Sequence, residues 1–211
     1  VIGDSLSSGE IAYVDENGEH YIDRYDFSWL SNICRTTGAT PKHYSESGMY
    51  AKKWITSTYK TNFNNDASQN AYFIALGTID RNQSYGIGSI NDVSGSNSFV
   101  GYYKQIIDIV IAKAPNACIF LVSMYSDAND TYRNYSAMIK SIADIYSNCY
   151  YVDFIGNTEI RTTDGSTNYT NYGHFTTSGY VVVAKTIKAL CNKIVSDNLG
   201  RNFFKLFALN N

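Results

Sequence analysis

The feature that most restricts the fold of this chain is a series of short apolar runs separated by longer segments. Residues 71–76 (AYFIAL), 117–123 (ACIFLVS) and 149–154 (CYYVDF) are largely apolar and end at Gly or polar residues. Continuous apolar runs of this length are typical of strands that are covered on both faces of a sheet. They predict the buried strands of a parallel sheet.

The segments around these runs have apolar residues at helical spacing. They predict helices at residues 26–37, 98–114, 131–147 and 177–196. The first of these segments is followed by Gly38 and the second by Pro115, and both residue types commonly follow a helix end. Strands that alternate with helices predict a parallel sheet with right-handed connections and helices on both faces.

Size and composition limit the function classes. With 211 residues, of which 44% are hydrophobic, the chain is expected to form one domain over residues 1–211. The formal net charge of -2 excludes the basic excess of a nucleic-acid-binding protein, and no apolar run approaches the roughly 18 residues of a membrane span. Because the first strand has only two apolar residues before Gly3, we expect the chain to be a piece excised or processed from a longer one.

Side-chain chemistry adds two weaker expectations. The four cysteines lie far apart without CxxC spacing, so we interpret them as buried thiols, and three scattered histidines predict no metal site. The 19 tyrosines, together with many Asn and Ser residues, are typical of proteins that bind sugars outside the cell. This composition favours an extracellular or virion-associated location over a cytoplasmic one.

Four polar motifs lie at ends of predicted elements. They are GDSL at residues 3–6, SESG at 45–48, LGTID at 76–80 and NYGHFTTSGY at 171–180. Ligands of parallel sheets bind beyond the carboxyl ends of the strands. We therefore expect Ser5, Gly77 and Ser126, which all follow predicted strands, to share one edge of the sheet.

In this order and on this α/β pattern, the motifs resemble the SGNH hydrolases, also called the GDSL esterase/lipase family. GDSL at residues 3–6 reproduces the first block of the family, and GHFTTSGY at 173–180 is similar to its last block in phage-tail and gut-bacterial members. The resemblance extends over nearly the whole chain. It implies a three-layer α/β/α sandwich with a mostly parallel, flavodoxin-like central sheet of about five strands.

The resemblance also implies roles for individual residues. Ser5 is expected to be the nucleophile and His174 the general base that activates it. The backbone N–H groups of Ser5 and Gly48 are expected to form the oxyanion hole. This chemistry implies no metal and no organic cofactor.

Two positions depart from the family pattern. The third oxyanion donor of the family is an Asn side chain, but Ile79 stands at that position, so Asn82 is the nearby candidate for an amide donor. The family orients its His through an Asp three residues earlier, where this chain has Asn171. The carbonyl oxygen of Asn171 can accept a hydrogen bond from the ring, and Asp164 is an alternative partner.

The sequence therefore supports two hypotheses. The first is a serine esterase that removes small acyl groups, above all O-acetyl groups, from a small molecule or a polysaccharide. The alternative is an SGNH-fold glycan-binding module of a phage tail or cell-surface protein whose catalytic site is weakened or inactive. A flavodoxin-like cofactor binder is disfavoured because no Gly-rich phosphate loop follows the first strand. The sequence does not predict the oligomeric state.

Overall fold

Residues 1–198, the part of the chain that this computed structural model describes, form a five-stranded parallel sheet with helices on both faces. The strands are β1 Ile2–Gly3, β2 Ile11–Asp15, β3 Gly18–Ile22, β4 Tyr44–Ser45, β5 Ala71–Ala75, β6 Cys118–Val122, β7 Cys149–Val152, β8 Thr170–Asn171 and β9 His174–Phe175. The helices are α1 Ser5–Ser8, α2 Trp29–Thr37, α3 Ala51–Thr56, α4 Thr58–Asn65, α5 Phe99–Lys113, α6 Asp130–Ile145 and α7 Thr177–Asn198.

The central sheet has the strand order β4-β1-β5-β6-β7, and all four of its strand pairs are parallel. In β1, Ile2 pairs with Tyr44 of β4 on one side and with Ile74 of β5 on the other. The carboxyl ends of β4, β1 and β5 therefore lie side by side. This places the segments after these three strands at one edge of the sheet.

The two faces of the sheet carry separate apolar cores because successive strand residues point to opposite faces. In β5 and β6, Ile74 and Ile119 pack into the core with helices α3 to α6, where Trp54 and Phe63 are fully buried. Phe120, on the other face, packs with the core of helices α1, α2 and α7.

The predicted fold class is confirmed. The predicted strands at residues 71–76, 117–123 and 149–154 correspond to β5, β6 and β7. The four predicted helices correspond to α2, α5, α6 and α7, although a 3-10 turn, Tyr25–Phe27, replaces the expected start of α2. All four cysteines are free thiols, three of them buried and Cys191 half-buried.

The sequence analysis missed several elements. The antiparallel hairpin β2–β3, the helices α3 and α4, and the short hairpin β8–β9 were not predicted. Both hairpins lie beside the carboxyl edge of the sheet. Within residues 1–198, no helix combines the length and the apolar character that crossing a membrane requires.

Candidate active site

The turn after β1 fixes the position of Ser5. Asp4 caps helix α1, with its side chain accepting a hydrogen bond from the Leu6 N–H at 3.0 Å, and Ser5 is the first helical residue. At that position the Ser5 N–H has no intrahelical acceptor. A Cβ on Gly3 would lie 2.3 Å from Ser7 Oγ, so this turn requires glycine. Burial raises the pKa of Asp4 to about 7.

The hairpin β8–β9 brings His174 to Ser5. Its two-residue turn consists of Tyr172 and Gly173, both with positive φ (47° and 76°), as a type I′ turn requires. His174 follows the turn directly, and its Nε2 lies 3.1 Å from Ser5 Oγ. Residues 169 positions apart in sequence thus meet within hydrogen-bond distance.

A backbone carbonyl orients the ring. His174 Nδ1 lies 3.0 Å from the carbonyl oxygen of Tyr172. A carbonyl oxygen can only accept, so Nδ1 carries the proton in this bond and the lone pair of the neutral ring is at Nε2. Nε2 faces the Ser5 hydroxyl, which is the arrangement that a general base needs.

The structure places Asn171 elsewhere. Its amide nitrogen donates to the Ala12 carbonyl at 3.2 Å, and its Oδ1 accepts from Ser166 Oγ at 2.7 Å. Asp164 accepts from the Arg161 N–H at 2.6 Å. Within residues 1–198, neither side chain has a hydrogen bond to the His174 ring, and the Tyr172 carbonyl stands at the nitrogen that we expected Asn171 to orient.

This arrangement gives a testable prediction for Asn171. If the Ser5–His174 pair hydrolyses esters, as the resemblance implies, we expect Asn171→Ala to lower kcat by less than about tenfold, whereas removing an orienting carboxylate costs a serine protease about 10⁴-fold. The measurement is kcat on an aryl acetate, with circular dichroism to verify folding. A loss of a thousandfold or more in a folded variant would contradict orientation by the Tyr172 carbonyl.

The candidate oxyanion-hole residues differ in their placement. Gly48 is half-buried with φ of 68° in the turn after β4, the neighbour of β1. Ser47 ties this turn to the site because its Oγ donates to the Glu10 carboxylate at 3.2 Å. Asn82 is exposed, and its Oδ1 accepts from Arg81 at 3.2 Å, so within the described chain no hydrogen bond connects it to Ser5.

Glu10 also lies beside the dyad and was not predicted from the sequence. It is 1% exposed, and its Oε2 lies 3.5 Å from His174 Nε2. Burial raises the pKa of the Glu10 carboxyl group. Glu10 lies outside the four sequence motifs. The left-handed turn at Gly9, which ends α1, directs the chain back so that Glu10 lies beside the site.

Exposed tyrosines surround the dyad. Tyr21 of β3 contacts the His174 ring edge-on, with 5.3 Å between ring centroids, and is 45% exposed. Tyr172, in the turn that precedes His174, is 42% exposed. In contrast, Tyr103 and Tyr135 are buried in the core, and Tyr102 packs against it.

Two further features lie outside this cluster. A cavity of about 460 Å³ is bounded by Val1, Lys42 and Ala71, at the amino ends of the strands, and neither Ser5 nor His174 lines it. Among residues 1–198, no three His, Cys, Asp or Glu side chains are grouped so that they could hold a metal ion.

Comparisons with known proteins identify the fold. No family model matches the chain, and none of the curated proteins matches it. Solved structures match with TM-scores above 0.6. A family two carbohydrate esterase from Clostridium thermocellum in complex with cellohexaose matches with 17% identity, 92% coverage of this chain, 63% coverage of that chain and a TM-score of 0.67. A possible lipase from Chitinophaga pinensis has 15% identity, coverages of 92% and 96% and a TM-score of 0.64, and a candidate GDSL-like lipase from Bacteroides uniformis has 16% identity, coverages of 92% and 93% and a TM-score of 0.62.

These similarities define the class of fold. The chain has the mostly parallel α/β fold of GDSL-type lipases and carbohydrate esterases. It spans less than two thirds of the Clostridium thermocellum esterase. At identities of 15–17%, the activity of this chain has to be argued from its own site.

Proposed function

We propose that the protein is a serine esterase that removes small acyl groups, above all O-acetyl groups, from a carbohydrate. The observation that carries this proposal is the 3.1 Å distance between Ser5 Oγ and His174 Nε2. The bond from Nδ1 to the Tyr172 carbonyl supports it, because it leaves the basic nitrogen facing the hydroxyl. A nucleophile, a base and an orienting group are thus aligned.

The proposed reaction has two halves. Ser5 Oγ attacks the ester carbonyl carbon while its proton passes to His174 Nε2, and the sugar alcohol leaves with that proton as the carbon–oxygen bond breaks. Water then attacks the acyl-serine, with His174 taking its proton and returning it to Ser5 Oγ. The carboxylic acid is released, and both side chains return to their starting protonation states.

Backbone groups are the donors proposed for the oxyanion. The Ser5 N–H at the start of α1 and the Gly48 N–H in the turn after β4 follow neighbouring strands. Ile79 contributes no side-chain donor. Since the loss of one donor typically lowers kcat by about 10²–10³-fold, we expect slower turnover than a site with three donors would give, unless Asn82 moves toward Ser5.

The surroundings of the dyad support a carbohydrate substrate. Tyr21 and Tyr172 expose an apolar ring face and a polar hydroxyl beside His174, a combination suited to sugar rings. The Clostridium thermocellum structure of the same fold is a carbohydrate esterase in complex with cellohexaose. Ser5 is only 6% exposed, which favours a small acyl group.

A glycan-binding module without efficient turnover is the second candidate function. Ile79 favours it because this side chain cannot stabilise an oxyanion. The intact contact between Ser5 and His174 opposes it. The two functions differ in whether Ser5 reacts as a nucleophile.

Labelling with a fluorophosphonate probe tests the proposed activity. We expect one equivalent of probe to attach to Ser5, and no labelling of Ser5→Ala. Wild-type protein should also release acetate from an aryl acetate, and Ser5→Ala should not. A folded wild-type protein that neither reacts with the probe nor hydrolyses the ester would refute the esterase and leave the binding module.

A substrate panel tests the proposed acyl group and acceptor. Acetylated xylan and O-acetylated sialic acid are compared with aryl esters of acetate and of long-chain acids. We expect acetate release from at least one sugar and little hydrolysis of long-chain esters. Hydrolysis confined to long-chain aryl esters would contradict the carbohydrate proposal while leaving the serine esterase intact.

A further inference from the structure

The backbone of Glu10 is held firmly beside the nucleophile. Its N–H donates to the Ser5 carbonyl at 3.1 Å, one turn after the nucleophile. Its own carbonyl accepts from the hydroxyl of Tyr180, a fully buried residue of α7, at 2.9 Å. These contacts connect Glu10 to the nucleophile turn and to the helix that follows His174.

The Glu10 carboxyl group has one bonded oxygen and one free oxygen. Oε1 accepts from Ser47 Oγ at 3.2 Å. Oε2 lies 3.5 Å from His174 Nε2 and is enclosed by protein, and among residues 1–198 no donor reaches it with regular hydrogen-bond geometry. A buried carboxylate oxygen without a partner is costly, so such a group calls for an explanation.

The charge requirement of the dyad supplies this explanation. When Ser5 attacks, His174 becomes an imidazolium, and in a triad the orienting Asp compensates that charge from the Nδ1 side. Here Nδ1 faces the neutral carbonyl of Tyr172. Glu10 is the carboxyl group within 4 Å of the ring, on the Nε2 side.

We propose that Glu10 is a positioning residue that compensates the imidazolium charge formed on His174, so that orientation and charge compensation come from two different groups. This role rests on the proposed esterase function. The reacting proton stays on the route from Ser5 Oγ to Nε2 and then to the leaving alcohol. Glu10 acts in its ionised form as a charge partner of the imidazolium, 3.5 Å from Nε2, while the Nε2–H itself donates to the leaving alcohol.

Other titratable groups near Glu10 act against its ionisation or are neutral. Asp23 shares Ser47 with Glu10, since its Oδ2 accepts from the Ser47 N–H at 3.3 Å. The neighbouring phenols of Tyr21 and Tyr180 are neutral at physiological pH. Burial raises the pKa of Glu10, and the negative charge of Asp23 raises it further. The hydrogen bond from Ser47, attraction to His174 and the nearby Ser5 hydroxyl lower this pKa.

The raised pKa of Glu10 determines how kcat should change with pH. Below its raised pKa, Glu10 is protonated and cannot compensate the imidazolium, so kcat should be low. Above that pKa, Glu10 is ionised and kcat should rise. The acid side of the wild-type kcat profile should therefore contain an ionisation that belongs to Glu10.

Glu10→Gln tests the role because it preserves volume and an acceptor for Ser47 while removing the charge. We expect kcat on an aryl acetate to fall by about ten- to a hundredfold, with KM nearly unchanged, because the carbonyl still holds the correct tautomer. The Glu10 ionisation should vanish from the profile. Glu10→Asp should retain an acid-side ionisation with part of the activity.

A matched control separates this effect from net charge. Glu16→Gln makes the same charge change at the exposed turn between β2 and β3 and should leave kcat and its pH profile unaltered. An unchanged kcat and profile in a folded Glu10→Gln variant would overturn the proposal. So would a faster Glu10→Gln variant, which would show that the carboxylate opposes catalysis.

A readout without turnover distinguishes this proposal from the proposed function. Phosphonylation of Ser5 also forms the imidazolium, so the rate of labelling by the fluorophosphonate should be about tenfold or more lower in Glu10→Gln than in wild-type protein. If wild-type protein neither hydrolyses esters nor reacts with the fluorophosphonate, the esterase fails. Identical labelling rates in the two folded proteins would instead overturn the charge partnership itself.

Discussion

His174→Ala is expected to lower kcat on an aryl acetate by about a thousand- to a million-fold, the range found when a serine hydrolase loses a member of its catalytic unit. The reason is that the Ser5 hydroxyl has its basic partner at His174 Nε2, 3.1 Å away. Without it, the hydroxyl proton has no acceptor during the attack. The measurement is steady-state hydrolysis together with the rate of fluorophosphonate labelling, and both should fall.

His20→Ala is the matched control. His20 lies on β3, where its ring stacks on Tyr13 and its Nε2 is 2.8 Å from an Asp15 oxygen. It shares the imidazole chemistry without contacting Ser5, so this variant should hydrolyse at the wild-type rate. Because the proposed mechanism makes Ser5 and His174 one catalytic unit, the double variant should be no slower than either single variant. A His174→Ala variant within tenfold of wild type would refute the dyad.

The sheet could be predicted because its strands carry a local signal. Runs such as residues 71–76 are apolar on both faces, since both faces of the central sheet are covered by helices. The long helices α5 and α7 also have apolar residues at helical spacing. Local sequence and burial therefore agree over the part of the chain that builds the scaffold.

The hairpin β2–β3 gave no such signal because most of its residues are exposed. Its strands bury only Ala12 fully, so no alternation of apolar and polar residues appears. The Asn17-Gly18 pair is a turn signal that could have indicated the hairpin. Helices α3 and α4 were missed for a similar reason, since only Ala51, Trp54 and Phe63 are buried in them.

Some residues of the candidate site could likewise be predicted from the sequence, and others could not. Ser5 and His174 lie in motifs, and the parallel topology with the C-terminal hairpin brings them together. The orienting group could not be found in a side-chain pattern because it is the backbone carbonyl of Tyr172, directed by a two-residue turn. Glu10 was equally hidden, since its contact with His174 spans 164 residues and depends on the complete fold.

Gly179→Ala is expected to lower the free energy of unfolding by about 1–3 kcal/mol, although helix propensity alone predicts a gain of about 1 kcal/mol. Gly179 is buried in the first turn of α7. An added Cβ would lie 2.1 Å from the Tyr169 carbonyl oxygen and 3.1 Å from Phe175 Cβ. The first of these atoms belongs to the backbone, so the clash cannot be relieved by rotating a side chain.

The same substitution should also reduce activity, because the segment it displaces holds His174, the proposed base. Tyr169 directly precedes β8, and Phe175 is the second residue of β9, next to His174. A shift of the hairpin by about 1 Å can cost about a hundredfold in kcat. Urea unfolding and ester hydrolysis measure the two effects, with Ser178→Ala, an exposed neighbour in the same helical turn, as the control. A Gly179→Ala variant that is more stable and fully active would show that helix propensity outweighs this close contact and that the hairpin tolerates displacement.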